Sequence, residues 1–208
     1  MGYYERRVVP RLVDLTCGNR MFDKVRARVC AGLAGDVLEV GFGSGRNVPH
    51  YPDDVDRVLA VDPSLLGREL AAERVAASRV PVEFVGLEGA ALPLDDASVD
   101  HVLCTWTLCT IPDATAALNE MRRVLRPGGA LHFVEHGLAP DAGVARWQRR
   151  LTPIQRRVAG GCHLDRPIAA LISGAGFAIS DLQTYFGKGP KSFSYFYEGC
   201  ALPGPSPA

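Results

Sequence analysis

The sequence predicts an α/β fold built on a doubly wound, mostly parallel sheet. Short apolar runs of strand length recur along the chain, helical stretches separate them, and the first run ends in a cluster of glycines. A strand covered by helices on both faces is apolar on both faces, so it reads as a continuous run rather than an alternation. The βα alternation then calls for parallel strands joined by helical crossovers.

Residues 1–35 read as helical and precede the first strand, Val37–Val40. Val58–Val61 is the second strand, closed by Asp62-Pro63-Ser64, and Val82–Val85 is the third. Ser64 is placed to cap a helix over 65–78, since its hydroxyl can accept a free first-turn N–H. Val99–Trp106 is the fourth strand. Asp113 is placed to cap a helix over Ala114–Leu125, with Leu118, Met121 and Leu125 on one face. Arg126-Pro127-Gly128-Gly129 stops that helix and turns the chain into the fifth strand, Ala130–Glu135. Residues 138–168 form an arginine-rich, lid-like insert around Trp147. Ile179–Phe186 and Ser192–Cys200 read as two strands around Gly187-Lys188-Gly189-Pro190. One domain over 1–202 is expected, with 1–35 as a helical cap and 203–208 as a flexible tail.

Composition narrows the function. Lys plus Arg and Asp plus Glu are both 23, so the formal charge is zero and nothing favours a nucleic-acid partner. No apolar run is long enough to span a bilayer, and the N-terminus has neither a signal-peptide core nor a myristoylation pattern. The six cysteines form no C-x-x-C pair and no Cys/His array with zinc spacing, so no metal is expected. Free thiols in a reducing cytoplasm are the simplest interpretation.

The loop Glu39-Val40-Gly41-Phe42-Gly43-Ser44-Gly45 carries most of the functional argument. Glycines directly after a buried strand let a ligand approach the backbone. The spacing is G-x-G-x-G, and Arg46 stands where a dinucleotide loop has its third glycine. Glu39, still inside the strand, would repel a pyrophosphate but suits a ligand bearing an ammonium group. Asp62 ends the second strand, where an acid can accept both ribose hydroxyls. Asp62-Pro63-Ser64 also suits a helix N-terminus, whose dipole favours an acid. Glu88-Gly89 follows the third strand, and Asp100 opens the fourth.

With these residues in place, the sequence resembles the class I S-adenosylmethionine-dependent methyltransferases. Glu39-x-Gly41-x-Gly43-x-Gly45 matches the family's first motif and Asp62 its ribose-binding acid. Glu88-Gly89-Ala90-Ala91-Leu92-Pro93-Leu94 resembles the adenine-recognising segment, with Glu for the usual Asp. Val124–Gly129 matches the turn before the fifth strand. The resemblance implies a Rossmann-like, seven-stranded sheet with an antiparallel C-terminal strand. It also implies S-adenosylmethionine as methyl donor and S-adenosylhomocysteine as product, held by Glu39, Gly41, Gly43, Gly45, Asp62, Pro63, Glu88 and Gly89.

Narrower stretches are similar to the alkyl thiol methyltransferases of animal membranes: Cys104–Thr110, Phe133–His136 and Gly161–Arg166. Those proteins carry an N-terminal anchor that is not expected here. The quinone C-methyltransferases and phospholipid N-methyltransferases are broader cousins, so the motifs fix the donor better than the acceptor. A small, fairly apolar acceptor is expected, first a thiol or sulfide, then a quinone-like carbon or a lipid amine. A nicotinamide-dependent oxidoreductase and a non-catalytic cofactor-binding module are the rivals.

A thiol acceptor must lose its proton, since a free thiol has a pKa of about 8.5. His136, at the end of the fifth strand, and His163, in the insert, are candidate bases or positioning groups. Cys162 is a candidate contact for the substrate. Cys104 either touches the cofactor or serves as a small buried hydrophobe. The insert, with Arg146, Arg149, Arg150, Arg156 and Arg157, covers the acceptor or offers a weak peripheral contact to anionic lipid.

Overall fold

A computed structural model describes residues 7–18 and 20–204. Tyr3 and Tyr4, expected to close the cofactor pocket, lie outside the described residues. Among the described residues two helices come first, α1 (Val9–Cys17) and α2 (Arg20–Cys30). Then follow β1 (Gly35–Val40), β2 (Val55–Val61), α3 (Leu65–Ala76), β3 (Val82–Gly86), β4 (Val99–Thr105), α4 (Ala114–Val124) and β5 (Leu125–His136). The chain closes with α5 (Ala142–Val158), α6 (Ile168–Gly174), β6 (Phe177–Phe186) and β7 (Tyr195–Pro203).

The seven strands form one sheet in the order β3-β2-β1-β4-β5-β7-β6. β1 to β5 are parallel, and β7 runs antiparallel to both of its neighbours, β5 and β6. This is the Rossmann-like sheet the sequence predicts. Its order reverses between β1 and β4, and ligands of such sheets sit beyond the strand carboxyl ends at that reversal.

Side-chain alternation divides the core between the two faces. Leu38, Val40, Val102, Cys104, Leu131 and Phe133 pack on one face with Leu118 and Met121 of α4 and Ile168 and Ile172 of α6. Val37, Val58, Ala60, Leu103 and Val134 pack on the other with Val25 and Val29 of α2. The expected caps form: Ser64 Oγ accepts from Gly67 N at 3.0 Å and Asp113 Oδ1 from Ala116 N at 2.9 Å.

Two boundaries differ from expectation. β5 begins at Leu125, which pairs with Val99, and the Arg126–Gly129 turn survives as an irregularity of register before Ala130 pairs with His101. Arg126 is held there by Asp100, 2.6 Å away, and by Asp36 at 3.2 Å. Asp100 therefore braces the amino end of the sheet, away from the ligand end. At the other terminus β7 takes in Pro203, which pairs with Phe177, and Gly204 N donates to Gly176 O at 2.8 Å. Those two residues leave the predicted tail because β6 offers them partners. Residues 205–208 lie outside the described residues.

The insert is mostly α5. Buried Gln148 accepts from Ala139 N and donates to Gly137 O, both at 2.9 Å, which ties the helix to the end of β5. Trp147 is 55% exposed on its outer face, with the Arg150 guanidinium 5.6 Å from its ring centre. No helix among the described residues is long and apolar enough to cross a membrane.

Candidate active site

The glycine loop leaves β1 with Gly41 at φ 81° and Gly43 at φ 55°, a left-handed backbone that suits glycine. Their surroundings differ. A Cβ on Gly41 would overlap the Thr107 side chain, because the loops after β1 and β4 touch there. A Cβ on Gly43 would meet nothing nearer than Gly41 O at 4.0 Å. The chain is thus bare of side chain where a ligand would pass between the strand ends.

Asp62, at the end of β2, braces this loop. Its Oδ2 accepts from Gly43 N and its Oδ1 from Ser64 N, both at 2.7 Å. Burial pushes its carboxyl above the ordinary range. Pro63 beside it is exposed. Across the strand ends, Glu88 is exposed and Gly89 lies close enough to Val40 that a Cβ would stand 2.8 Å from its Cγ1.

Glu39 is buried, and its partners come from the protein itself. Oε1 accepts from Asn47 Nδ2 at 2.9 Å and Oε2 from the Tyr51 hydroxyl. Asn47 in turn accepts from Arg26 Nη1 at 2.7 Å and donates to Thr105 Oγ1 at 3.0 Å. The acid joins α2, β1 and β4 behind the glycine loop. Burial pushes its pKa from 4.5 up to about 7. Between those values the native state holds a proton that the unfolded chain has lost, so stability falls as pH rises through that window. The expected size of this contribution is about 3 kcal/mol. Urea unfolding of Glu39→Gln should show a shallower fall of stability over that range than the wild type; an identical pH slope would contradict it.

Asp14 of α1 clamps the same loop from above. Its Oδ1 accepts from Ser44 Oγ at 2.6 Å and Arg46 Nε at 2.8 Å, and Arg74 stands 3.6 Å away. Arg46, which fills the position of a third dinucleotide glycine, thus fastens the N-terminal helix to the turn. Sequence reasoning missed Asp14, since nothing local marks its partner.

On the other side of the reversal, Glu135 near the end of β5 organises the loop after β4. Its Oε1 accepts from Thr107 N at 2.8 Å and Leu108 N at 2.9 Å, and its Oε2 from Cys109 N at 3.1 Å. Cys104 is fully buried, with Sγ 3.5 Å from the same carboxylate, so it lies in the core among these bonds. Glu135 was also missed, although an acid closing an apolar strand is the signal that drew attention to Glu39.

The loop that Glu135 holds carries Trp106 at φ 51°, a conformation costly for a bulky side chain and often found at ligand sites. Its indole N–H is buried with no hydrogen-bond partner among the described residues. Phe22 packs edge-on to it at 4.9 Å, the Arg26 guanidinium lies 4.7 Å from its ring centre, and Phe196 stands 6.2 Å away. The His136 ring packs on Phe196 at 4.8 Å.

Three candidates of the sequence reasoning meet beside this aromatic wall. His136, Cys162 and the unforeseen Cys109 bring a ring nitrogen and two sulfurs within 4.8 Å of one another. His163 joins them: its N–H donates to Cys109 O at 2.8 Å, and its Nδ1 lies 3.2 Å from the same oxygen. The Cys109 thiol donates to Cys162, which lowers the Cys162 pKa; His136 and His163 act in the same direction.

Comparison with known proteins gives a consistent pattern. The family model described as a methyltransferase domain matches residues 38–133. Thiol S-methyltransferase TMT1B of Rattus norvegicus is 36% identical over 151 residues, covering 71% of this chain and 62% of that protein. Thiol S-methyltransferase TMT1A of Homo sapiens is 36% identical over 160 residues, covering 74% and 65%. The chain therefore spans less than two thirds of the length of these relatives. A solved S-adenosylmethionine-dependent methyltransferase from Thermotoga maritima, described as a possible histamine N-methyltransferase, superposes with a TM-score of 0.68 at 23% identity. That match covers 96% of this chain and 98% of that one, and shows the shared fold.

Proposed function

We propose that the chain is an S-adenosylmethionine-dependent methyltransferase and that it methylates the sulfur of a small, fairly apolar thiol. The observation that carries the acceptor class is the cluster of His136, Cys162 and His163 beyond the ends of β4 and β5, joined to the Trp106–Phe196 wall by the His136 ring. The likeness to thiol S-methyltransferases points the same way.

S-adenosylmethionine supplies an already activated methyl group on a sulfonium sulfur. The protein's task is to bind both partners, align them and exclude water. Gly43 keeps a side chain out of the donor's path, and the open space there fits that role, while Gly41 and Gly45 let the loop pack closely against Thr107 and against Ala71 and Val48. Asp62 takes the ribose hydroxyls on its remaining lone pairs. Glu88 and Gly89 take the adenine, with Pro63 beside them. Glu39 acts through Asn47 and Tyr51 to hold the loop. Trp106 and Phe196 receive the apolar part of the acceptor. An imidazole of the His136–His163 group receives the thiol proton, so that the sulfur reacts as thiolate. The free cysteines among the described residues suit a reducing compartment, and we place the protein there.

A radiolabelled methyl-transfer screen across alkyl thiols, quinones, phenols and amines tests this. Labelled thioether is expected, and label found only on amine nitrogen or quinone carbon overturns the thiol assignment. Trp106→Ala should raise KM for a hydrophobic thiol about tenfold, the loss of a modest apolar contact area. Its affinity for S-adenosylhomocysteine should barely change, as calorimetry would register. An unchanged KM would remove Trp106 from the acceptor wall.

A further inference from the structure

We propose that Cys109, Cys162 and His136 form a binding site for a thiophilic divalent cation of the Zn2+ type, with one coordination position left open for the acceptor sulfur. The open position rests on the thiol-methylation reading; the cation site itself does not.

Geometry is the first support. The two sulfurs and the imidazole nitrogen lie within 4.8 Å of one another. A tetrahedral zinc ion, with Zn–S about 2.3 Å and Zn–N about 2.0–2.1 Å, needs these atoms roughly 3.5–3.8 Å apart. Small side-chain rotations close that difference. The donor set is the second support. Two sulfurs and an imidazole, with no carboxylate among them, match zinc or another soft ion and not magnesium or calcium.

Fixed scaffolding is the third support. Cys109 is held by its N–H bond to Glu135. Cys162 follows Gly161, whose left-handed φ of 92° brings the turn against the Thr110 carbonyl, and Cys162 N bonds to Ala159 O at 3.2 Å. His163 N–H then ties that turn to Cys109 O. His136 ends β5 in register with Phe196. Three donors on three braced segments are preorganised for one centre.

Burial is the fourth support. Both cysteines are buried while His136 is half-exposed, so the cluster is closed on its sulfur side and reachable on the other. Three protein ligands with an accessible fourth position is the form of reactive rather than structural zinc sites. Sequence spacing concealed this cluster, because its donors come from the β4 loop, the end of β5 and the turn after α5.

Such a site would deliver the acceptor in its reactive state. With His136 serving as ligand, the thiol binds the open position and its proton leaves by way of the His163 imidazole to solvent. Its sulfur then forms the new S–CH3 bond as the donor's sulfonium C–S bond breaks. The products are a neutral thioether, a weak ligand that leaves the cation, and S-adenosylhomocysteine.

The test uses the full chain, reduced, stripped with a chelator and titrated anaerobically with Co2+. One equivalent should produce a thiolate-to-cobalt charge-transfer band, abolished by Zn2+. Absence of that band in the wild type overturns the site, as does a Cys109–Cys162 disulfide whose reduction restores no cobalt uptake. Cys109→Ser and Cys162→Ser should each weaken Zn2+ binding more than about 100-fold while keeping S-adenosylhomocysteine affinity. Cys200→Ser should change neither. If a variant fails to fold, the wild-type spectrum decides alone. Addition of an alkyl thiol should shift the cobalt band, and a band that ignores thiol refutes the open position while leaving the cation site standing. Loss of S-adenosylhomocysteine binding by the wild type would instead count against the methyltransferase reading, so the two failures are distinguishable.

Discussion

Gly43→Val is expected to raise the Kd for S-adenosylhomocysteine more than about 100-fold while costing only about 1–2 kcal/mol of stability. The modest cost comes from placing a branched side chain at φ 55°. Steric overlap adds little, because the nearest heavy atom to the new Cβ is 4.0 Å away. The binding loss has the opposite origin. The valine methyls fill the opening between the ends of β1 and β4, where the donor must lie if this sheet binds ligands at its reversal. Gly41→Ala makes the contrast. There the new methyl overlaps Thr107, so two loops must part and stability should fall further than at Gly43. Calorimetry with S-adenosylhomocysteine, paired with thermal melts, separates the cases. A Gly43→Val protein with wild-type affinity would remove the glycine loop from the donor site. One that unfolds as readily as Gly41→Ala would make Gly43 a packing residue instead.

These outcomes bear on what the sequence could disclose. The strands were legible because both their faces are buried, so Val37–Val40, interrupted only by Glu39, and Val58–Val61 read as apolar runs. The caps at Ser64 and Asp113 were legible because their partners are local, three residues on. Acids at strand ends were visible too, but not what they bond. Glu39 is expected to meet an ammonium group, but nothing local in the sequence shows that Tyr51 and Asn47 also hold it. Asp14 was silent because its partners, Ser44 and Arg46, are distant in sequence. Cys109 was silent for the same reason. Local spacing rules look for donors one or two turns apart, whereas Cys109, His136 and Cys162 are brought together by parallel pairing of β4 with β5 and by the return of the chain after α5.

Glu135→Ala is the substitution expected to destabilise the protein most, by about 4 kcal/mol. One carboxylate accepts three consecutive backbone N–H groups, from Thr107, Leu108 and Cys109. Deleting it strands these donors where water reaches poorly, at about 1–3 kcal/mol for each orphaned group, and empties a fully buried site. For a chain of this length the melting temperature should drop by roughly 10 °C. Glu135→Gln keeps one carbonyl oxygen for the pair of bonds at Thr107 and Leu108, so it should recover most of that loss. An alanine variant as stable as the wild type would show that the loop holds itself. The activity readout is more specific. The β4 loop carries Trp106 and Cys109, whereas the glycine loop is braced by Glu39 and Asp62. Methyl transfer in Glu135→Gln should therefore fall further than S-adenosylhomocysteine affinity. Glu39 and Glu135 thus act as a pair: each is a buried acid near the end of its strand, one on each face of the sheet and one on each side of the reversal. On the proposed function the first fixes where the donor can lie and the second where the acceptor can lie, so the distance between reacting atoms would be set by the stiff sheet that both acids terminate.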